Sequence, residues 1–114
     1  MPTEDRLNIL WTNADPVTSE HMVFMYAVNA MRMGWWEAVT LIVWGRPVEL
    51  IMADKKFQTL VSTAMAEGVH VSACRRCAEK LGAVEGLEAL GMEVIYWGDP
   101  LTAILKKDEK LLTV

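Results

Sequence analysis

The sequence predicts a three-layer α/β/α sandwich on a mostly parallel sheet of about five strands, an architecture of the flavodoxin-like kind. Three observations carry this prediction. Short apolar runs alternate with longer stretches of helical spacing, and strands alternating with helices imply right-handed βαβ crossovers. The run from Ala38 to Trp44 is continuously apolar rather than alternating, the pattern of a strand covered on both faces. The chain has 114 residues, which suits one domain around one core.

The first strand is expected at Leu7 to Trp11, followed by Thr12-Asn13-Ala14-Asp15-Pro16, a cluster that breaks a strand and caps a helix. Thr18 to Met33 is apolar almost all round, lacks Gly and Pro, and stops at Gly34, so a largely buried helix is expected there. The second strand is Ala38 to Trp44. Pro47 to Met52 opens a helical stretch that Lys55 to Glu67 continues, with Phe57, Leu60, Val61, Ala64 and Met65 at helical spacing before Gly68. Val69 to Ala73 reads as the third strand. Cys74 to Leu81 and Val84 to Leu90 read as two short helices separated by Gly82 and ended by Gly91, with Gly86 an awkward residue inside the second. Glu93 to Trp97 is the fourth strand, Leu101 to Lys107 a last helix, and Lys110 to Val114 a closing strand. Strand order is not readable from this pattern.

Composition narrows function. Hydrophobic residues make up 53% and charged residues 23%, more apolar material than a disordered chain carries. The net charge of −4 lacks the basic footprint that recruits phosphate backbones, so nucleic acid is not an expected partner. No apolar run approaches the roughly 20 residues a membrane helix needs. The acidic start Met1-Pro2-Thr3-Glu4-Asp5-Arg6 is unlike a secretory leader, so a cytoplasmic chain is expected. Phosphate-loop and dinucleotide glycine motifs are missing, which disfavours flavin and nucleotide binding and leaves no cofactor expected. Five tryptophans and eight methionines leave apolar surface that a small domain cannot hide. Oligomerisation is therefore expected, with Trp35-Trp36 as first interface candidates.

Ligands of open α/β sheets sit beyond the carboxyl ends of the strands. That edge should hold Asn13 in the first loop, Arg46 after the second strand, Cys74 after the third and Asp99 after the fourth. Asp15 and Asp99, each before a proline, read as helix N-caps; Arg46 before Pro47 is a poor cap and a better anion ligand. Val43-Trp44-Gly45-Arg46-Pro47 echoes Tyr96-Trp97-Gly98-Asp99-Pro100, which we read as repeated turn chemistry.

The reactive candidate is Cys74, directly after an apolar strand and at the start of a helix. Unpaired N–H groups there, with Arg75 and Arg76, are surroundings that lower a thiol pKa. The competing reading is a small buried hydrophobe. Cys77, one turn on, either resolves an oxidised Cys74 or packs against the sheet beside Ala78 and Leu81. His70, Cys74 and Cys77 supply three ligands where a structural zinc site wants four, so no metal is expected, and His70 and His21 read as surface or hydrogen-bonded residues.

The strand Val69-His70-Val71-Ser72-Ala73, then Cys74, a helix to Leu81-Gly82 and the segment Gly91-Met92-Glu93-Val94, resembles the DsrE/DsrF-like family of sulfur-relay proteins. The likeness extends in element order over nearly the whole chain. It implies an α/β sandwich assembling as trimers or hexamers, with sulfur-donor and sulfur-acceptor proteins as partners. Cys74 matches the family cysteine that takes up sulfane sulfur as a persulfide and passes it on; Cys77 lies outside the general pattern and leaves a dithiol variation open. Arg75, Arg76 and the helix start would steady the anionic forms. Two other classes stand beside this expectation: a non-catalytic oligomer holding a small anion near Arg46, and a Cys74/Cys77 dithiol redox protein.

Overall fold

The computed structural model describes residues 5–114. The acidic start on which the reading of the N-terminus rests lies partly outside them, at residues 1–4. Five strands, β1 (Arg6–Trp11), β2 (Ala38–Val43), β3 (His70–Cys74), β4 (Glu93–Ile95) and β5 (Lys110–Thr113), form one sheet in the order β4-β3-β2-β1-β5. Every pairing is parallel, with Leu10 beside Ile42 and Thr113, Val43 beside Ala73, and Cys74 beside Ile95. This is the three-layer α/β fold the alternating pattern predicts.

Strand order decides which face each helix covers. From β1 to β4 the chain steps one way across the sheet, so right-handed crossovers lay the intervening helices on one face. These are α1 (Pro16–Thr18), α2 (Met25–Arg32), α3 (Arg46–Ala53), α4 (Lys55–Ala66), α5 (Arg75–Lys80) and α6 (Val84–Ala89). The connection from β4 to β5 runs back the other way and places α7 (Gly98–Lys106) on the opposite face. The core divides accordingly. Leu7, Ile9, Trp11, Leu41, Val43, Val71 and Ala73 meet Phe24, Ile51, Phe57, Val61 and Leu87 on the first face. Ile42 meets Trp97 and Ile104 on the second, flanked by Leu10, Trp44, Ile95, Leu101 and Leu111. Along β1 and β2 neighbouring residues alternate between the two cores, as strand geometry requires.

Local chemistry accounts for the element ends. Asp15 caps α1 by accepting the Thr18 N–H at 2.9 Å, and this donation holds its carboxyl below the usual carboxylate range. Between α1 and α2 the turn Ser19–Phe24 widens into a π-helix, which the apolar pattern does not foretell. Its start is anchored by the buried Ser19 hydroxyl, which accepts from Trp11 Nε1 at 3.0 Å and donates to the Asn13 carbonyl at 2.9 Å.

Three expectations are corrected. The stretch from Pro47 to Glu67 is two helices, because Asp54 leaves helical geometry (φ −132°, ψ 114°) and caps α4 through Lys56 N–H. β4 ends at Ile95, and α7 starts at Gly98, three residues earlier than expected. Asp99 is therefore inside the first helical turn with Trp97 as N-cap, so it caps nothing and sits where a carboxylate suits the positive end of the helix. The Gly-x-Pro echo accordingly marks two helix starts of different geometry. Gly86 lies inside α6, where a Cβ would meet only the flexible, partly exposed end of the Met52 side chain, which can swing aside, so packing does not demand glycine there.

Candidate functional site

All five strands point their carboxyl ends to one edge. The loops after β3 and β4 diverge there to opposite faces, the crevice where open α/β sheets commonly bind ligands. Trp97, just past β4, is 5% exposed and packs on Ile42 and Ile104, with its Nε1 donating to the buried Ser72 hydroxyl at 2.8 Å. The open space lies one strand over, between the β2–α3 loop and α5. It is a cavity of about 400 Å³ lined by Gly45, Arg46, Glu49, Arg76, Cys77, Lys80 and Leu81.

Of the two cysteines, Cys77 alone lines it. Cys74 is the N-cap of α5 and only 3% exposed, whereas Cys77, one turn along, is partly buried and lines the cavity. Both thiols are free. Burial pushes the Cys77 thiol up from its ordinary pKa, as does a hydrogen bond with Cys74, while the Gly45 backbone pulls the other way. The thiols are thus neighbours, and Cys77 bears directly on the turn after β2. That turn depends on Gly45, the α3 N-cap, whose φ of 79° and ψ of −134° lie in a region essentially reserved for glycine. Gly45→Ala should cost about 1–3 kcal/mol of stability although a Cβ there meets nothing within 4 Å, a strain effect read as a lower urea midpoint.

The charged residues sort by helix face. Arg76, Cys77, Lys80 and Leu81 are spaced at three and four residues, so α5 turns one side toward the cavity. Arg75 is on another side and is engaged with Glu79 at 3.5 Å and Glu88 at 4.0 Å. Glu79 also accepts from Tyr96 Oη at 2.6 Å, which pushes the Tyr96 phenol up from its ordinary range. Arg75 is thus paired with carboxylates and lies outside the cavity lining. Arg46 is at the cavity, paired with Glu49 at 3.1 Å. Among the described residues Arg76 and Lys80 have no carboxylate within 4.0 Å.

Asn13 and Asp99 are not brought to this cavity. Asn13 is used within its own loop, its Oδ1 accepting from Asp15 N–H at 2.8 Å and its carbonyl from Trp11 and Ser19. Lys80, Glu49 and Leu81 were missed as lining residues, although the spacing of Lys80 and Leu81 from Cys77 carries the signal. His70 is exposed and 3.0 Å from Glu93, and His21 is exposed beside Glu20, as expected for surface histidines. Trp35 is 55% exposed, whereas Trp36 packs on the main core and donates from Nε1 to Tyr26 Oη at 3.0 Å. No helix among the described residues is long and apolar enough to cross a membrane.

No protein-family model matches the chain. No curated protein matches it either. Among solved structures it is similar to a conserved protein of unknown function from Bacteroides thetaiotaomicron, at 38% identity and a TM-score of 0.98, over 100% of this chain and 98% of that one. A likeness of that identity and extent covers the whole α/β fold and the strand ends that build the cavity, and on it the chain belongs to the same family as that conserved protein.

Proposed function

We propose that the chain is a sulfur carrier of the DsrE/DsrF-like kind, working through the neighbouring thiols of Cys77 and Cys74. The observation that carries this reading is the placement of a free thiol, Cys77, in an open cavity with cations beside it and a second thiol behind it. Cys77 receives the sulfur, because a donor cannot reach a side chain as buried as Cys74. The Cys77 thiolate attacks the outer sulfur of a persulfide, the donor's inner sulfur leaves as thiolate, and Cys77–S–SH results. Cys74 thiolate then takes the outer sulfur, giving Cys74–S–SH and returning Cys77. That holds the cargo at the position to which the family resemblance points, and the reverse steps deliver it to an acceptor thiol. No cofactor is needed, since each step exchanges one sulfur–sulfur bond for another.

Intact mass without reductant tests this reading. After incubation with a persulfide donor and removal of the excess, wild type should gain one sulfur atom that reductant removes; no gain with both thiols free would defeat the proposal. The loading rate should climb with pH. Because burial and Cys74 raise the Cys77 pKa, its thiolate fraction is low at neutral pH and rises only as pH passes the ordinary cysteine range. A rate flat from neutral pH upward would contradict that placement.

Two free thiols one helical turn apart also suit the dithiol redox reading, which predicts a loss of two hydrogens without added sulfur. Free thiols suit a reducing compartment such as the cytoplasm. Assembly as a homo-oligomer would cover Met33 and Trp35, each more than half exposed.

A further inference from the structure

We infer that the cavity takes a small, peptide-sized persulfide bearing carboxylates as its sulfur donor. This rests on the sulfur-carrier reading and adds the substrate class to it. Three features carry the inference. The volume of about 400 Å³ falls in the range of small-molecule sites and exceeds what a single oxyanion fills. Two of the lining cations, Arg76 and Lys80, stand without acidic partners among the described residues, while the third, Arg46, is already balanced by Glu49. Both free cations share the α5 face with Cys77, so a ligand anchored by them sets its sulfur at the thiol. A guanidinium accepts a carboxylate through paired hydrogen bonds, and an ammonium takes a second carboxylate as a point charge. Leu81 supplies an apolar wall for the ligand's body.

The chemistry balances without an oxidant. Cys77 thiolate and a protonated donor persulfide give Cys77–S–SH and the donor thiolate; the Sγ–sulfur bond forms as the donor's sulfur–sulfur bond breaks, and the bonding pair leaves on the donor's inner sulfur. The released product is then a thiol carrying the same carboxylates.

The test compares glutathione persulfide with the persulfide of glutathione diethyl ester, which keeps the peptide skeleton and the reacting persulfide and loses both carboxylate charges. Wild type should load from the acid on the order of tenfold faster than from the ester, the scale of one retained charge-assisted contact. In the Arg76→Gln, Lys80→Gln double variant the ratio of the two rates should fall toward one. Because the ratio is internal to each protein, a general change in thiol reactivity cancels. A second readout needs no sulfur transfer: S-methylglutathione should slow alkylation of Cys77 by iodoacetamide in wild type and lose that protection in the double variant. Equal loading from both donors would overturn the carboxylate donor while leaving the sulfur carrier standing. No loading from either would overturn the carrier itself and this donor with it. A wild-type rate ratio retained by the double variant would overturn the assignment to Arg76 and Lys80.

Discussion

Cys77→Ser should abolish sulfur loading in an otherwise folded chain, whereas Cys74→Ser should still gain one sulfur and then lose it quickly to added thiol. The asymmetry follows from exposure. Cys77 lines the open cavity and Cys74 is 3% exposed, so removing the first leaves no thiol that a donor reaches. Removing the second leaves the receiving thiol in place but takes away the sheltered position behind it, so the persulfide stays in the cavity, open to any thiol that enters. The two changes should differ in their cost to stability, small at Cys77 and larger at Cys74. Serine is close in size to cysteine, and Cys77 is only partly buried, although at Cys74 the hydroxyl needs a partner in a dry setting and a cost of about 1–3 kcal/mol is expected there. Intact mass over time after donor removal reads both outcomes, and thermal unfolding confirms that each variant folds. Loading of Cys77→Ser at the wild-type rate would mean that donors reach Cys74 directly and would reverse the roles assigned to the two thiols.

The sequence points to the right helix for this site but to a different side of it. The cysteine at the end of β3 and the ligand edge follow from the strand pattern, because a parallel sheet puts every carboxyl end together. Which thiol meets solvent depends on how α5 leans on the turn at Gly45, a contact between segments about 30 residues apart that no local pattern encodes. Arg75 illustrates the same limit at shorter range. It adjoins Cys74 in sequence, yet its helix position directs it to Glu79 and Glu88, while Lys80, farther along, faces the cavity. Helix ends were legible where glycine sets them: Gly34, Gly68, Gly82 and Gly91 all have positive φ, which other residues adopt only under strain. The break at Asp54 was harder to see, because Lys55 to Glu67 continues the apolar spacing of the preceding helix and the only mark of the break is one capping side chain. Strand order stayed hidden for a physical reason: the alternation of strand and helix is the same whether a crossover steps to the next strand or returns across the sheet. The return is what separates α7 and its small core from the rest.

Trp11→Ala should be the most damaging single change to the fold, lowering stability by about 3–5 kcal/mol, the range for truncating a fully buried large aromatic. Trp11 is 0% exposed at the end of β1 and sits at the centre of an aromatic trio, with Phe24 edge-on at a centroid distance of 5.1 Å and Phe57 stacked at 6.4 Å. Its Nε1 also donates to the Asn13 carbonyl at 2.8 Å and to Ser19 Oγ at 3.0 Å, so one side chain ties together β1, the loop after it and the π turn. Domains of this size hold roughly 5–15 kcal/mol in total, so the variant should melt on the order of 10–20 °C lower, or fail to accumulate folded. Trp11→Phe separates the two contributions. It keeps a ring against Phe24 and Phe57 and loses only the donor and part of the volume, while the Ser19 hydroxyl retains the Asn13 carbonyl, so a cost of about 1–2 kcal/mol is expected. The damage should extend to the site, because the Trp11 carbonyl accepts the Trp44 N–H at 3.0 Å and thereby holds the strand that leads into Gly45 and the cavity. Urea unfolding gives the stability change, and Cys77 alkylation at fixed pH should quicken in Trp11→Phe as the turn loosens. A Trp11→Ala chain within 1 kcal/mol of wild type by the same unfolding measure would show that the trio does not hold β1 to its helices, and the account of this face of the sheet would have to be rebuilt around Phe57 and Leu41 instead.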